Sequence, residues 1–163
     1  MREIKYSPET EKFFEYARNI HGAEGRLTAA GFMLAVVDFL MGKFGERDEE
    51  LHLYTSAFLP GQKIDIRELR IYLAESIMKP ESEKEKKYND AYIRAVIADA
   101  DLVAEKAGRE EILPKDVFLC ISTRTDRVTE SCLRRAETWY PELSFTQRIR
   151  VFNEEFGYTE TED

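Results

Sequence analysis

The stretch Leu27-Thr28-Ala29-Ala30-Gly31-Phe32-Met33-Leu34-Ala35-Val36 decides the fold. Thr28 offers a side-chain oxygen to the orphan amides of a helix start. The body that follows, Phe32-Met33-Leu34-Ala35-Val36-Val37 and then Phe39-Leu40, is apolar almost all round, with Gly42 as a stop. A helix of that kind belongs at the centre of a core. The pattern returns 85 positions on (112 − 27) as Ile112-Leu113-Pro114-Lys115-Asp116-Val117-Phe118-Leu119-Cys120-Ile121. Each copy follows an amphipathic helix and a glycine-bearing loop, at 22–26 in the first half and 108–111 in the second. One such unit leaves its second helix half-naked, so two units must pack together to bury both. A pseudo-twofold all-α fold follows.

Working outward, the periodicity is helical nearly throughout, and no stretch alternates as a strand. Ser7-Pro8 opens a first helix carrying Phe13, Phe14, Ala17 and Ile20 and ending near Gly22. A short helix is predicted over 51–58, and Asp65-x-x-Glu68 opens another with Ile66, Leu69, Leu73 and Ile77 on one face. The charged run Glu81-Ser82-Glu83-Lys84-Glu85-Lys86-Lys87 reads as a solvated linker. Ile93, Val96, Ile97, Ala100, Val103, Ala104 and Ala107 then mark a long amphipathic helix closed by Gly108. Further helices are expected around Val128 to Leu133 and from Ser144-x-x-Gln147 to Gly157, about eight in all. The expected organisation is a double repeat over 4–142, with repeat one at about 4–78, a linker at 79–88 and repeat two at about 89–142. An additional helix and a frayed tail follow over 143–163.

Composition narrows the function. The 163 residues carry 24 Lys+Arg against 32 Asp+Glu, for a net charge of −8, with 43% apolar residues. That balance suits one soluble domain, and the acidity argues against nucleic acid as the main partner. The clustered arginines Arg124, Arg127, Arg134, Arg135, Arg148 and Arg150 read as helix-surface charge balanced by Asp126, Glu130 and Glu137. The longest apolar runs fall far short of the ~20 residues that span a bilayer, so no membrane association is expected. Met1-Arg2-Glu3-Ile4-Lys5 holds no apolar signal region, which predicts a cytoplasmic location.

Catalytic signatures are lacking. Cys120 and Cys132 have no CxxC partner and read as small hydrophobes, while His21 and His52 stand apart from any HExxH or His/Cys cluster. Gly42-Lys43 lacks both the upstream glycine and the following hydroxyl residue of a phosphate loop. The reading is of a protein that is not an enzyme, with no cofactor and no metal. The rival readings are an unrelated all-α interaction or regulatory protein, then a small enzyme or a nucleic-acid-binding domain.

The repeat resembles the double-repeat N-terminal domain of the Clp family of AAA+ unfoldases. Ala100, Ala104, Gly108 and Ile112 keep the family's four-residue spacing before Val117-Phe118-Leu119-Cys120-Ile121, and Tyr6-Ser7-Pro8-Glu9-Thr10 and Arg26-Leu27-Thr28 match in the first half. The likeness covers roughly residues 4 to 136. It implies a non-catalytic module binding adaptor or substrate proteins for ATP-dependent unfolding or proteolysis, and AAA+ ATPase rings as further partners. The family's acidic-His element is replaced by Ala30-Gly31 in one repeat and Lys115-Asp116 in the other. Some relatives are thought to take phosphoarginine on an acidic residue there, and Ala30 and Lys115 predict that this chain does not. Partner contacts are expected at the repeat loops, on Arg26 and Thr28 in the first and on Arg109, Glu110, Glu111 and Lys115 in the second.

Overall fold

The computed structural model describes residues 3–45 and 66–124, and these are mostly helical. Five helices and two minimal strands occur among the described residues: β1 (Lys5–Tyr6), α1 (Pro8–Arg18), α2 (Ala29–Leu40), α3 (Ile66–Met78), α4 (Glu83–Lys106), β2 (Glu111–Ile112) and α5 (Pro114–Arg124). The helices expected over 51–58, near 128–133 and over 144–157 lie outside the described residues.

Helix boundaries follow the local chemistry. Ser7 caps α1 by accepting the Thr10 amide at 3.1 Å, with Pro8 in the first turn. The helix stops at Arg18, earlier than the expected Gly22, because the chain turns out of helical geometry at Asn19 and then needs positive φ at Gly22 (94°). A Cβ on Gly22 would stand 3.2 Å from the Met78 backbone, so glycine is required there for close approach as well as for φ. Thr28 caps α2 as expected, accepting the Gly31 amide at 3.0 Å.

The linker expected at 79–88 is corrected by the start of α4. Ser82 and Glu85 form a reciprocal capping box: the Glu85 amide donates to Ser82 Oγ at 3.1 Å, and the Ser82 amide donates to Glu85 Oε1 at 3.3 Å. Helix therefore begins at Glu83, and most of the charged run forms its exposed first turns. The physical reason is that charge density marks a solvated face equally well on a helix as on a coil, whereas the cap decides between them.

The almost wholly apolar α2 is central. Its residues from Ala29 to Phe39 are buried, with Phe32, Met33 and Leu34 among the largest enclosed side chains. It packs against α1 on one side and α3 on another, and it also touches α4. Leu69 and Leu73 of α3 face it buried, and Phe13 stacks edge-on to Phe32 and Phe39 with centroids 5.9 and 5.4 Å apart. The other main contact is α4 on α5, where Ile93, Val96, Ala100 and Ala104 meet Val117, Phe118 and Ile121 in the same core.

Two strands not expected from the sequence join the halves. β1 and β2 pair in parallel, Lys5 opposite Glu111 and Tyr6 opposite Ile112. The Ile112 carbonyl also accepts the Ser7 amide at 3.0 Å and the Thr10 hydroxyl at 2.6 Å. The start of α1 is thus anchored on the loop before α5. Two-residue strands are too short to show a period, which is why the sequence carried no sign of them.

Candidate functional site

A cleft of about 380 Å³ opens where α1, α2 and α3 meet. Its described lining is Ile20, Leu34, Ala74 and Met78 on the apolar side, and Tyr16, Asn19, His21, Asp38 and Arg70 on the polar side. The composition of α2 makes the polar side unusual. Asp38 is the one charged residue in that helix, and its side chain is 1% exposed. A buried carboxylate requires partners. Arg70 supplies Nε to Oδ1 at 2.5 Å and Nη2 to Oδ2 at 3.3 Å, the Tyr16 hydroxyl donates to Oδ2, and Lys43 Nζ stands 3.5 Å from Oδ1.

These contacts set the protonation states. Burial pushes the Asp38 carboxyl up, but the hydrogen bonds from Arg70 and Tyr16 and the charges of Arg70 and Lys43 outweigh it and hold it below the usual carboxylate range. The Tyr16 phenol is pushed up to about 12, first by burial and then by its hydrogen bond to Asp38 and that carboxylate's charge. Asp38 is therefore a fixed anion and Tyr16 a fixed neutral donor at physiological pH. Neither is poised near neutrality, as a general acid or base would be. The cleft sets apolar lining beside an oriented guanidinium.

The residues expected to contact partners fall elsewhere, and three already hold the fold. Arg26 donates through Nη1 to Glu81 and through Nη2 to Asp90, both at 2.8 Å, bracing the first loop against the start of α4. Asn89 Nδ2 completes that network on Glu81 at 2.6 Å. Thr28 is the α2 cap described above. Arg109 forks both oxygens of Asp116, whose Oδ2 also accepts the Leu113 amide at 2.9 Å. Glu110 and Glu111 are exposed and Lys115 is half-buried. Ala30, which the 85-residue offset sets against Lys115, is buried in the core. The two loop clusters lie apart from the cleft lining.

Sequence reasoning missed Tyr16, Asp38 and Arg70. A signal was available in Asp38 itself, a lone carboxylate inside an otherwise apolar helix, which can be tolerated only if the fold brings it cations and donors. Which residues those are depended on α3 crossing α2. Among the described residues no group of three or more His, Cys, Asp and Glu side chains could hold a metal ion, His21 is exposed on the cleft rim, and Cys120 is buried in the core. No described helix is long and apolar enough to cross a membrane. Compared with protein-family models, curated proteins and solved structures, the chain matches none of them.

Proposed function

We propose that this chain is a non-catalytic, cytoplasmic protein-recognition module resembling the N-terminal domain of Clp AAA+ unfoldases, binding adaptor or substrate proteins. The observation that carries the reading is the cleft. It joins an apolar wall to an oriented guanidinium, while its buried carboxylate and phenol are held away from neutral titration. Such a lining grips a segment of another protein without acting on it.

Duplication of a helix–loop–helix unit is the architectural half of the proposal, and corresponding devices support it. Ser7 and Ser82 cap the first helix of each unit, α1 and α4. Thr28 and the Leu113-Pro114 turn open the second, α2 and α5. An arginine sits in each intervening loop, Arg26 and Arg109, and each is held by carboxylates. The contacts between units are also reciprocal in kind, because the second unit's loop receives the start of α1 and the first unit's loop arginine reaches the start of α4.

Fluorescence anisotropy with reduced, carboxymethylated lactalbumin, an unfolded test protein, checks the reading. The full chain should bind it saturably, and filling the cleft by Ala74→Trp should weaken binding while the circular dichroism spectrum is retained. Capture from native cytoplasm should return an AAA+ ATPase or its adaptor with the wild-type chain and less of it with Ala74→Trp. A chain that binds neither the test protein nor any such partner overturns the reading.

A further inference from the structure

The cleft between α1, α2 and α3 has a charge pattern that selects its occupant. Asp38 is the single carboxylate among its described lining residues, and its oxygens are saturated: Oδ1 faces Arg70 Nε and Lys43 Nζ, while Oδ2 accepts the Tyr16 hydroxyl and Arg70 Nη2. With a side chain only 1% exposed, it has nothing to offer a cationic ligand. Arg70 is in the opposite condition. A third of its side chain is exposed (33%), and its hydrogen bonds to Asp38 use Nε and one hydrogen of Nη2. A guanidinium carries five N–H donors; beyond the two on Asp38, Arg70 also lies within hydrogen-bonding reach of the Tyr16 hydroxyl, and the donors that remain can serve a ligand. Those donors form a fork that fits a carboxylate. Lys43 adds a second positive charge beside Asp38, so Asp38, Arg70 and Lys43 together sum to +1.

The apolar part of the lining adds the second requirement. Ile20, Leu34, Ala74 and Met78 line the same cleft as Arg70, and Met78 is 57% exposed. A hydrated inorganic anion would leave that surface wet, whereas a side chain next to a carboxylate would cover it. The chain's net charge of −8 does not oppose such a ligand strongly, because exposed charges beyond about 8 Å are largely screened at physiological ionic strength.

We propose that the cleft receives an acidic-apolar peptide segment of a partner protein, its carboxylate on Arg70 and an adjacent aliphatic side chain over Ala74 and Met78. This deepens the recognition reading and rests on it.

Nuclear magnetic resonance titration of the full, isotopically labelled chain with four blocked short peptides tests the proposal. One carries leucine beside glutamate; two replace that glutamate by glutamine or by lysine; the fourth replaces the leucine by serine. The leucine–glutamate peptide should shift the Met78 methyl and the Arg70 Nε–H signals and bind about tenfold more tightly than the glutamine version, with lysine weaker still. The serine version should also lose affinity. Because Met78 is exposed, charge reversal at the rim is a second arm that spares folding: Met78→Glu should weaken the glutamate peptide and Met78→Lys strengthen it. Arg70→Lys, which keeps a cation on Asp38 but removes the fork, should erase the preference for glutamate over glutamine. Equal binding of the glutamate, glutamine and lysine peptides, or tightest binding of the lysine peptide, overturns the acidic preference. If no peptide moves a cleft signal, this proposal fails even where unfolded lactalbumin still binds, and in that case the broader recognition reading survives it.

Discussion

Arg109 holds both carboxylate oxygens of Asp116, Nη1 to Oδ2 at 2.6 Å and Nη2 to Oδ1 at 2.8 Å, although the Asp116 side chain is wholly buried. The pair ties the loop after α4 to the first turn of α5, and the Leu113 amide on Asp116 Oδ2 tightens the same turn. Removing one member of a buried pair costs more than the pair itself contributes, because the remaining charge keeps its desolvation penalty. Arg109→Ala should therefore destabilise the full chain by about 3–5 kcal/mol, read as a lowered midpoint in urea unfolding. Arg109→Lys should recover only part, since an ammonium cannot fork two oxygens. A loss below about 1 kcal/mol for the alanine variant would contradict this account.

Arg26 makes an instructive contrast, because it too bridges a loop to another element through carboxylates. Its partners Glu81 and Asp90 are more open to solvent than Asp116, with Asp90 at 46% exposure. Ion pairs in that setting contribute little. Arg26→Gln should cost about 1 kcal/mol or less, and the difference from wild type should shrink further in concentrated salt. Paired urea titrations at low and high salt measure both effects.

Thr10 links sequence-distant parts of the chain, its hydroxyl donating to the Ile112 carbonyl at 2.6 Å and meeting Ser7 Oγ at 2.8 Å. Valine has nearly the same shape and no hydroxyl. Thr10→Val should lower stability by about 1 kcal/mol, since the Ile112 carbonyl keeps the Ser7 amide as a donor. Amide hydrogen exchange should show faster opening of the β1–β2 pair in the variant. Unchanged exchange there would sink the idea that this contact fastens the two strands.

Tyr16 and Asp38 predict opposite pH behaviour from one hydrogen bond. The folded Tyr16 phenol is raised to about 12, above its ordinary value, so its contribution is complete below the unfolded value and is lost as pH rises through the folded one. The folded Asp38 carboxyl is lowered, so its contribution is present above the unfolded value and is lost as pH falls through the folded one. Tyrosinate absorbance should show a late-ionising component that loses one tyrosine's amplitude in Tyr16→Phe, while Tyr6, also raised by burial, keeps its own. Asp38→Asn should flatten the acid limb of the stability curve. A Tyr16→Phe titration superimposable on wild type would refute the assignment.

The helices themselves were legible in the chain because their signals are local. Ser7-Pro8, Thr28 and Pro114 mark starts that the structure keeps, and the spacing of Ile93, Val96, Ala100 and Ala104 marks the buried face of α4. Even the misread charged run held its correction in plain view, as Ser82-x-x-Glu85, a pairing decided within one turn. What tertiary structure alone decided is every relationship between groups far apart in sequence. Two-residue strands pair only because α1 and the loop before α5 arrive together, and Lys5 gives no hint of Glu111. Arg26 and Arg109 look like free loop cations until their carboxylates are seen, since a charged side chain in a string of letters has no direction. Asp38 announces in sequence only that something must neutralise it. That Tyr16, Lys43 and Arg70 do so, leaving a cleft lined by a part-exposed guanidinium and by Met78, follows from α3 crossing α2, a packing choice driven by burial of Leu69 and Leu73 and readable only once the helices are assembled.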